Sequence, residues 1–211
     1  MYVLPYVEQS NIRDKFSDQI NVCDGVDCEL SSIPVPLYCC PSDGQQPRDP
    51  NYTSIWNWAT ANYTGVMGAR EFRILETRHC GSYATDGIFY PLSGVRVADV
   101  RDGTSNTLAV GEQVNWLRVW TAGAYTDNPM HFCVMPTKNV VWPINTDPEE
   151  RKYNHARADQ NCAFNDIFFS SRHPGGANFC RADGSVSFVN ETIEMETFKS
   201  LATRDGGEVT Q

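Results

Sequence analysis

Long apolar runs are missing from this 211-residue chain: no stretch approaches the ~18 residues that cross a membrane, and its first residues do not read as a signal peptide. Clusters of Lys and Arg are missing too. With a formal net charge of −9, the surface is not one that neutralises phosphates, which argues against nucleic acid as a partner. A negative balance suits a soluble surface or one that attracts divalent cations. No GxSxG, P-loop, HExxH or GxGxxG pattern occurs, so hydrolase and nucleotide chemistry have no support and no enzyme is expected. Histidine is scarce, and His79, His131 and His155 have no spacing that assembles a site. CxxC pairs are also absent, leaving His79-Cys80, or His131 with Cys133, as the sources open to a zinc site. Repeats and low-complexity segments do not occur, and the length fits a single domain over residues 1–211.

Cysteine, by contrast, is plentiful. The eight are Cys23, Cys28, Cys39, Cys40, Cys80, Cys133, Cys162 and Cys180. An even count in a modest domain favours disulfides and an oxidising compartment, with buried free thiols as the alternative. The pairing is not readable from the sequence.

The opening VLPYVEQSNIRDKF places Pro5 in a first turn and sets Ile12, Phe16 and Ile20 at four-residue steps, which predicts a short helix or two turns of one. From Val22 to about Asn62, proline, glycine and aspartate predict a long surface segment pinned by its four cysteines. GIFYPL (87–92), TLAVGEQV (107–114) and WLRVW (116–120) read as strands. Residues 121–166 again look loop-rich. Near the end, Thr192 is the expected N-cap of a helix beginning at Ile193 to Met195. Met195, Phe198 and Leu201 recur along it, and Gly206 or Gly207 is the expected stop. The sum is α+β: an antiparallel sheet, a few short helices and long loops pinned by disulfides.

Residues 172–188, RHPGGANFCRADGSVSF, set His173 nine residues ahead of Asp183-Gly184. Asp-Gly between two strand-like runs is a strong hairpin signal, suited to a two-residue type I′ turn. That register pairs Ala182 with Ser185, Cys180 with Ser187, and Phe179 with Phe188 as a cross-strand aromatic pair. At about 3.3 Å per residue the strand separates His173 from Asp183 by roughly 20 Å. A catalytic His–Asp dyad is therefore not expected. Asp183 shapes the turn, and His173 anchors the strand's entrance.

The H-x9-DG element, with PGGANF before the turn and DGSVSFV from it onward, resembles the C-terminal signature of a bacterial family of secreted prepilin-type proteins with a processing-associated H-X9-DG domain, of unknown function. LPYVEQSN (4–11), CPSDG (40–44), NYTGVMG (62–68), DGIFY (86–90), VRDGTSNTLAVGE (100–112) and LATRDGGE (201–208) agree and stand in that family's order. The resemblance implies a pilin-like or pseudopilin-like headpiece whose precursor carries a leader, a prepilin-peptidase site and an apolar helix upstream. It implies an extracytoplasmic location, at the cell surface or in the periplasm, with membrane attachment only through that upstream helix. Its partners are then other pilin-like subunits or envelope proteins, and Met1 is expected to be an artificial or secondary start. The motif residues His173, Gly175, Gly176, Asp183, Gly184, Asp102 and Gly103 are expected to be structural. Only Cys40 of the eight cysteines falls in a familiar signature, and the others fit disulfides added outside the cytosol.

Two weaker ligand readings accompany this. Asp102, Thr104 and Asn106 alternate like a calcium loop, although the loop's required glycine is Thr107 and its closing acid is Gln113. Pseudopilin headpieces can carry calcium, so no cofactor is expected unless it is calcium here. Trp56 and Trp58 share a face if SIWNWATANY is a strand. Aromatics of this kind more commonly anchor a core or a loop, but as exposed indoles they could stack on sugars. The alternative to a structural subunit is a surface binding module for glycans or another envelope protein. Asn51, Asn62 and Asn190 head N-x-T sequons without expected consequence in a bacterial protein.

Overall fold

The computed structural model describes residues 3–16, 26–44, 59–69, 82–114, 118–120, 137–147 and 164–207. Trp56, Trp58, His79, Cys80, His131, Cys133 and His155, and the side chain of Cys28, lie outside them. So do Ile20, Cys23, Asn51 and Cys162.

Seven strands and three α-helices are present among the described residues. The strands are β1 (Thr60–Ala61), β2 (Tyr63–Gly68), β3 (Leu108–Glu112), β4 (Arg118–Val119), β5 (Thr137–Asn139), β6 (Gly176–Arg181) and β7 (Val186–Asn190). The helices are α1 (Ser10–Arg13), α2 (Val26–Ser31) and α3 (Met195–Ala202). Five strands form one sheet in the order β5-β2-β3-β6-β7, and β1 pairs β4 in a separate ribbon. The class is α+β, but the main sheet is mixed rather than antiparallel, because β5 runs parallel to β2. The long segment joining them makes that direction available.

The main core lies between one face of the sheet and α3. Val66, Leu108, Phe179 and Val189 meet Phe198, Leu201 and Ala202, all buried. Phe179 and Phe198 stand edge to face at 5.6 Å, and Phe169 closes the trio at 5.1 Å from Phe179. Each ring contributes on the order of 1.5–3 kcal/mol by leaving water. Gly111 of β3 makes room for them, since a Cβ there would meet the Phe179 ring at 2.4 Å. Lys138 is fully buried beside this core. Its ammonium donates to Phe168 O at 2.7 Å and lies 4.4 Å from the Phe169 ring centroid.

A second cluster gathers the N-terminal turns. Leu4, Ile12 and Phe16 pack with Leu30, Val35 and Trp120, whose indole N–H donates to Ile33 O at 3.0 Å. Pro5 sits in the first turn of a 3-10 segment, Leu4–Val7, ahead of α1.

Several expectations need correction. GIFYPL is not a strand. Leu92 takes a left-handed φ of 61°, and only the Gly87 and Phe89 amides reach β2, at Met67 O and Val66 O. The hairpin register is shifted by one: Asn178 faces Phe188 and Phe179 faces Ser187. The cause is a three-residue loop. Gly184 N–H donates to Arg181 O, Gly184 alone adopts a positive φ (85°), and Arg181 pairs Ser185, as in a type I turn closed by a glycine bulge. Phe179 therefore points into the core while Phe188 is exposed, and the two form no aromatic pair. Thr192 does not cap α3. Its amide and hydroxyl both donate to Asn190 Oδ1, making a turn ahead of the helix, and Glu194 is the cap residue.

Cys39, Cys40 and Cys180 are free thiols, so the disulfide-pinned loops have no support at these positions. Each sulfur faces a different neighbour: Cys39 the Val35 carbonyl, Cys40 the Glu112 carboxylate, Cys180 the Arg181 carbonyl.

Candidate functional site

Two polar constellations draw together segments far apart in the chain. The first surrounds Asp102 and Arg204. The Asp102 carboxylate accepts the Gly206 amide at 2.7 Å and the Gly207 amide at 2.9 Å. In return Arg204 O accepts the amides of Arg101 and Asp102. The Arg204 guanidinium donates to Thr85 O and Gly87 O and lies 5.5 Å from the Tyr90 ring centroid. DGIFY, VRDGTSN and LATRDGG thus form one clasp around the chain's C-terminal turn. Asn106 donates its side-chain amide to Asp102 O, while Thr104 O accepts from Asp183 N–H. The three residues considered for calcium are each engaged with the chain's own groups. Asp183 accepts the Ser185 amide at 2.9 Å and hydroxyl at 2.6 Å within its turn. Those two bonds, hydroxyl first, hold its carboxyl below the ordinary value.

The second constellation lies on the face of the sheet away from α3. Glu112 ends β3, Cys40 follows a 3-10 turn (Pro36–Tyr38), and His173 sits in the loop entering β6. His173 Nε2 is 3.3 Å from Glu112 Oε1 and 3.8 Å from Cys40 Sγ, and that thiol faces the same carboxylate oxygen at 3.7 Å. Among the described residues this is the one group of three or more His, Cys, Asp or Glu side chains whose ligand atoms all lie within 4.8 Å of one another.

Each donor is held from behind. Glu112 Oε2 accepts the Asn178 backbone amide at 2.7 Å and its side-chain amide at 3.2 Å, leaving Oε1 to the cluster. The Cys40 backbone amide donates to Asn62 Oδ1, and Asn62 Nδ2 donates in turn to Asp43 Oδ2 and Gln113 O. The His173 loop closes on Ser171, whose hydroxyl accepts the His173 amide and donates to Gly176 O. Gly176 is required there because a Cβ would fall 2.1 Å from Val189 O. The Glu112 side chain is 4% exposed and that of His173 30%, so the cluster is buried on one side and open on the other. The Tyr63 phenol borders it, and burial first, then Cys40 and Glu112, push its pKa up to about 12. Burial, then Asp43, also raises the neighbouring Cys39 thiol.

These residue types invite a cysteine-nucleophile reading, but the geometry differs. A nucleophile–base–orienter array uses the two imidazole nitrogens for two partners, with the base within about 3.2 Å of the nucleophile. Here one nitrogen, Nε2, faces both the thiol and the carboxylate. The arrangement is a convergence of three donors on one point.

His173 and Asp183 therefore face different partners at the two ends of β6, and His173 joins two residues the sequence did not connect to it. The only signal was that CPSDG, VRDGTSNTLAVGE and H-x9-DG each carry side chains of metal-ligating type, Cys40, Glu112 and His173 among them.

Fold and site define an α+β domain on a mixed sheet whose sequence motifs meet in a polar clasp and a Cys–Glu–His cluster. A family profile described as protein of unknown function (DUF1559) matches residues 1–196, and the chain belongs to that family. No curated protein and no solved structure matches it.

Proposed function

We propose that this domain is a non-catalytic assembly subunit, the extracytoplasmic headpiece of a pilin-like or pseudopilin-like protein. The observation that carries the reading is the outer edge of the main sheet. Among the described residues β7 is the last strand of the sheet, and its outward side chains Val186 (69% exposed) and Phe188 (49% exposed) are large and apolar. Val186 pairs Cys180, and Cys180 lines an apolar cavity of about 290 Å³ with Ile88, Phe89, Val97 and Val110. An edge strand bordered by exposed apolar surface is a template for joining another chain, which soluble monomers ordinarily blunt with charge or cover.

The test uses the full-length precursor in its host. An upstream prepilin-peptidase site with an apolar helix, and polymer in sheared surface material that is lost in a Val186→Lys, Phe188→Lys double variant, are the expected results. A precursor without that helix, or sheared material that stays monomeric, overturns the proposal. Polysaccharide-dependent fluorescence removed by Trp56→Ala or Trp58→Ala would instead favour a glycan-binding module.

A further inference from the structure

We propose that Cys40, Glu112 and His173 form a three-ligand site for a zinc-type transition-metal ion, with a fourth coordination position open to water or an exogenous donor. A tetrahedral ion sits at about 2.3 Å from a thiolate and about 2.0–2.1 Å from an imidazole nitrogen or carboxylate oxygen. Simple geometry then sets nitrogen and oxygen about 3.3 Å apart, and sulfur about 3.5–3.6 Å from either. The observed triangle has sides of 3.3 Å for Nε2–Oε1, 3.7 Å for Sγ–Oε1 and 3.8 Å for Sγ–Nε2. Contraction by a few tenths of an ångström completes the fit.

The donor set also chooses the metal class. One thiolate and one imidazole disfavour calcium and magnesium, which take oxygen ligands, and suit zinc or a neighbouring late first-row ion. Thiolate and carboxylate together balance a divalent charge, so the bound state places no net charge in this half-buried position. The supporting bonds are those that orient ligands at metal centres: Asn178 on the distal carboxylate oxygen, Asn62 on the Cys40 backbone, Ser171 on the His173 backbone. Among the described residues three protein donors converge, and the partly exposed imidazole leaves one side accessible. That is the open pattern, rather than the closed four-ligand pattern of purely structural zinc.

The inference is independent of assembly and is tested on the purified protein after chelator treatment. Titration with cobalt(II) should saturate at one equivalent, with the intense visible bands of a tetrahedral ion and a thiolate charge-transfer band. Cys40→Ser should abolish the charge-transfer band, and His173→Ala should weaken binding by about 100-fold or more, at or beyond the upper end of what loss of a mere supporting contact costs. Cys39→Ser and Cys180→Ser should change neither. X-ray absorption on the unaltered zinc-loaded protein should find one sulfur and otherwise nitrogen or oxygen ligands, a readout that needs no variant to fold. No saturable binding, a shell with no sulfur or several, or binding that survives both Cys40→Ser and His173→Ala overturns the proposal.

Discussion

The clasp at Asp102 and the cluster at Cys40 are built from the same kind of material and end in different states. Both join loops and strand ends from distant parts of the chain around a carboxylate. In the clasp, the carboxylate oxygens meet backbone amides of Gly206 and Gly207, and the opposing Arg204 meets carbonyls. Donor faces acceptor throughout. In the cluster, one carboxylate oxygen is satisfied by Asn178 while the other faces a thiol at 3.7 Å and an imidazole at 3.3 Å. Those are loose contacts, longer than a strong charge-assisted hydrogen bond. A polar constellation that saturates itself holds a fold together. One that leaves three ligand atoms around a common point is arranged for something from outside.

The largest expected effect breaks the first half of this comparison. Asp102→Ala leaves two backbone amides without their acceptor, and hydrogen bonds to charged groups contribute about 1.5–3 kcal/mol. Urea unfolding should lose about 2–3 kcal/mol, with cobalt affinity unchanged. If cobalt affinity falls in step with stability, the two constellations are not separable.

His173→Ala inverts that pattern. Its side chain is partly exposed and makes no short side-chain bond in the absence of metal, so metal-free stability should change by less than about 1 kcal/mol. In the unaltered protein, zinc at 100 times its dissociation constant should add about 2.7 kcal/mol, and the variant should lose that increment. Thermal melts with and without zinc read both quantities. A variant as strongly stabilised by zinc as its parent would place the ion elsewhere.

Gly184→Ala is a smaller perturbation, confined to the hairpin. The residue holds a φ of 85° with open space where a Cβ would go, so only backbone strain opposes it. A cost of about 1 kcal/mol is expected, with the register and both constellations intact. A cost several times larger would show that the type I turn with its glycine bulge positions Asp183 for more than the turn.

Much of the frame was legible in the sequence. The hairpin around Asp183-Gly184, strand β3 and helix α3 all announced themselves through turn residues and periodicity. The register did not, because Asp-Gly is compatible with a two-residue turn and with a longer one in which glycine alone takes the left-handed conformation. Strand β2 was obscured by its glycines at 65 and 68, and β5 by having three residues. GIFYPL failed the other way. Its composition is strand-like, yet Leu92 turns the chain. The cluster was hidden by separation: Cys40 and Glu112 lie 72 residues apart, and Cys40 and His173 lie 133 apart. Motif spacing cannot report a contact that only sheet topology creates.

The smallest effect concerns pH and tests whether Asp183 belongs with the self-satisfied class. Its carboxyl is held below the ordinary value by the Ser185 hydroxyl and amide, so the folded state favours the ionised form. A group depressed in this way contributes stability that is fully present above the unfolded carboxylate value of about 4 and is lost as pH falls through the folded value. Replacing Asp183 by Asn removes the charge and keeps the shape. Between neutral pH and about 5 the parent should be the more stable of the two by a constant margin, and below about 4 the margin should close. A margin that persists in acid means the turn depends on the shape of the acceptor and not on its charge. A margin that widens in acid reverses the sign of the linkage and removes Asp183 from the class of carboxylates stabilised by their own hydrogen bonds.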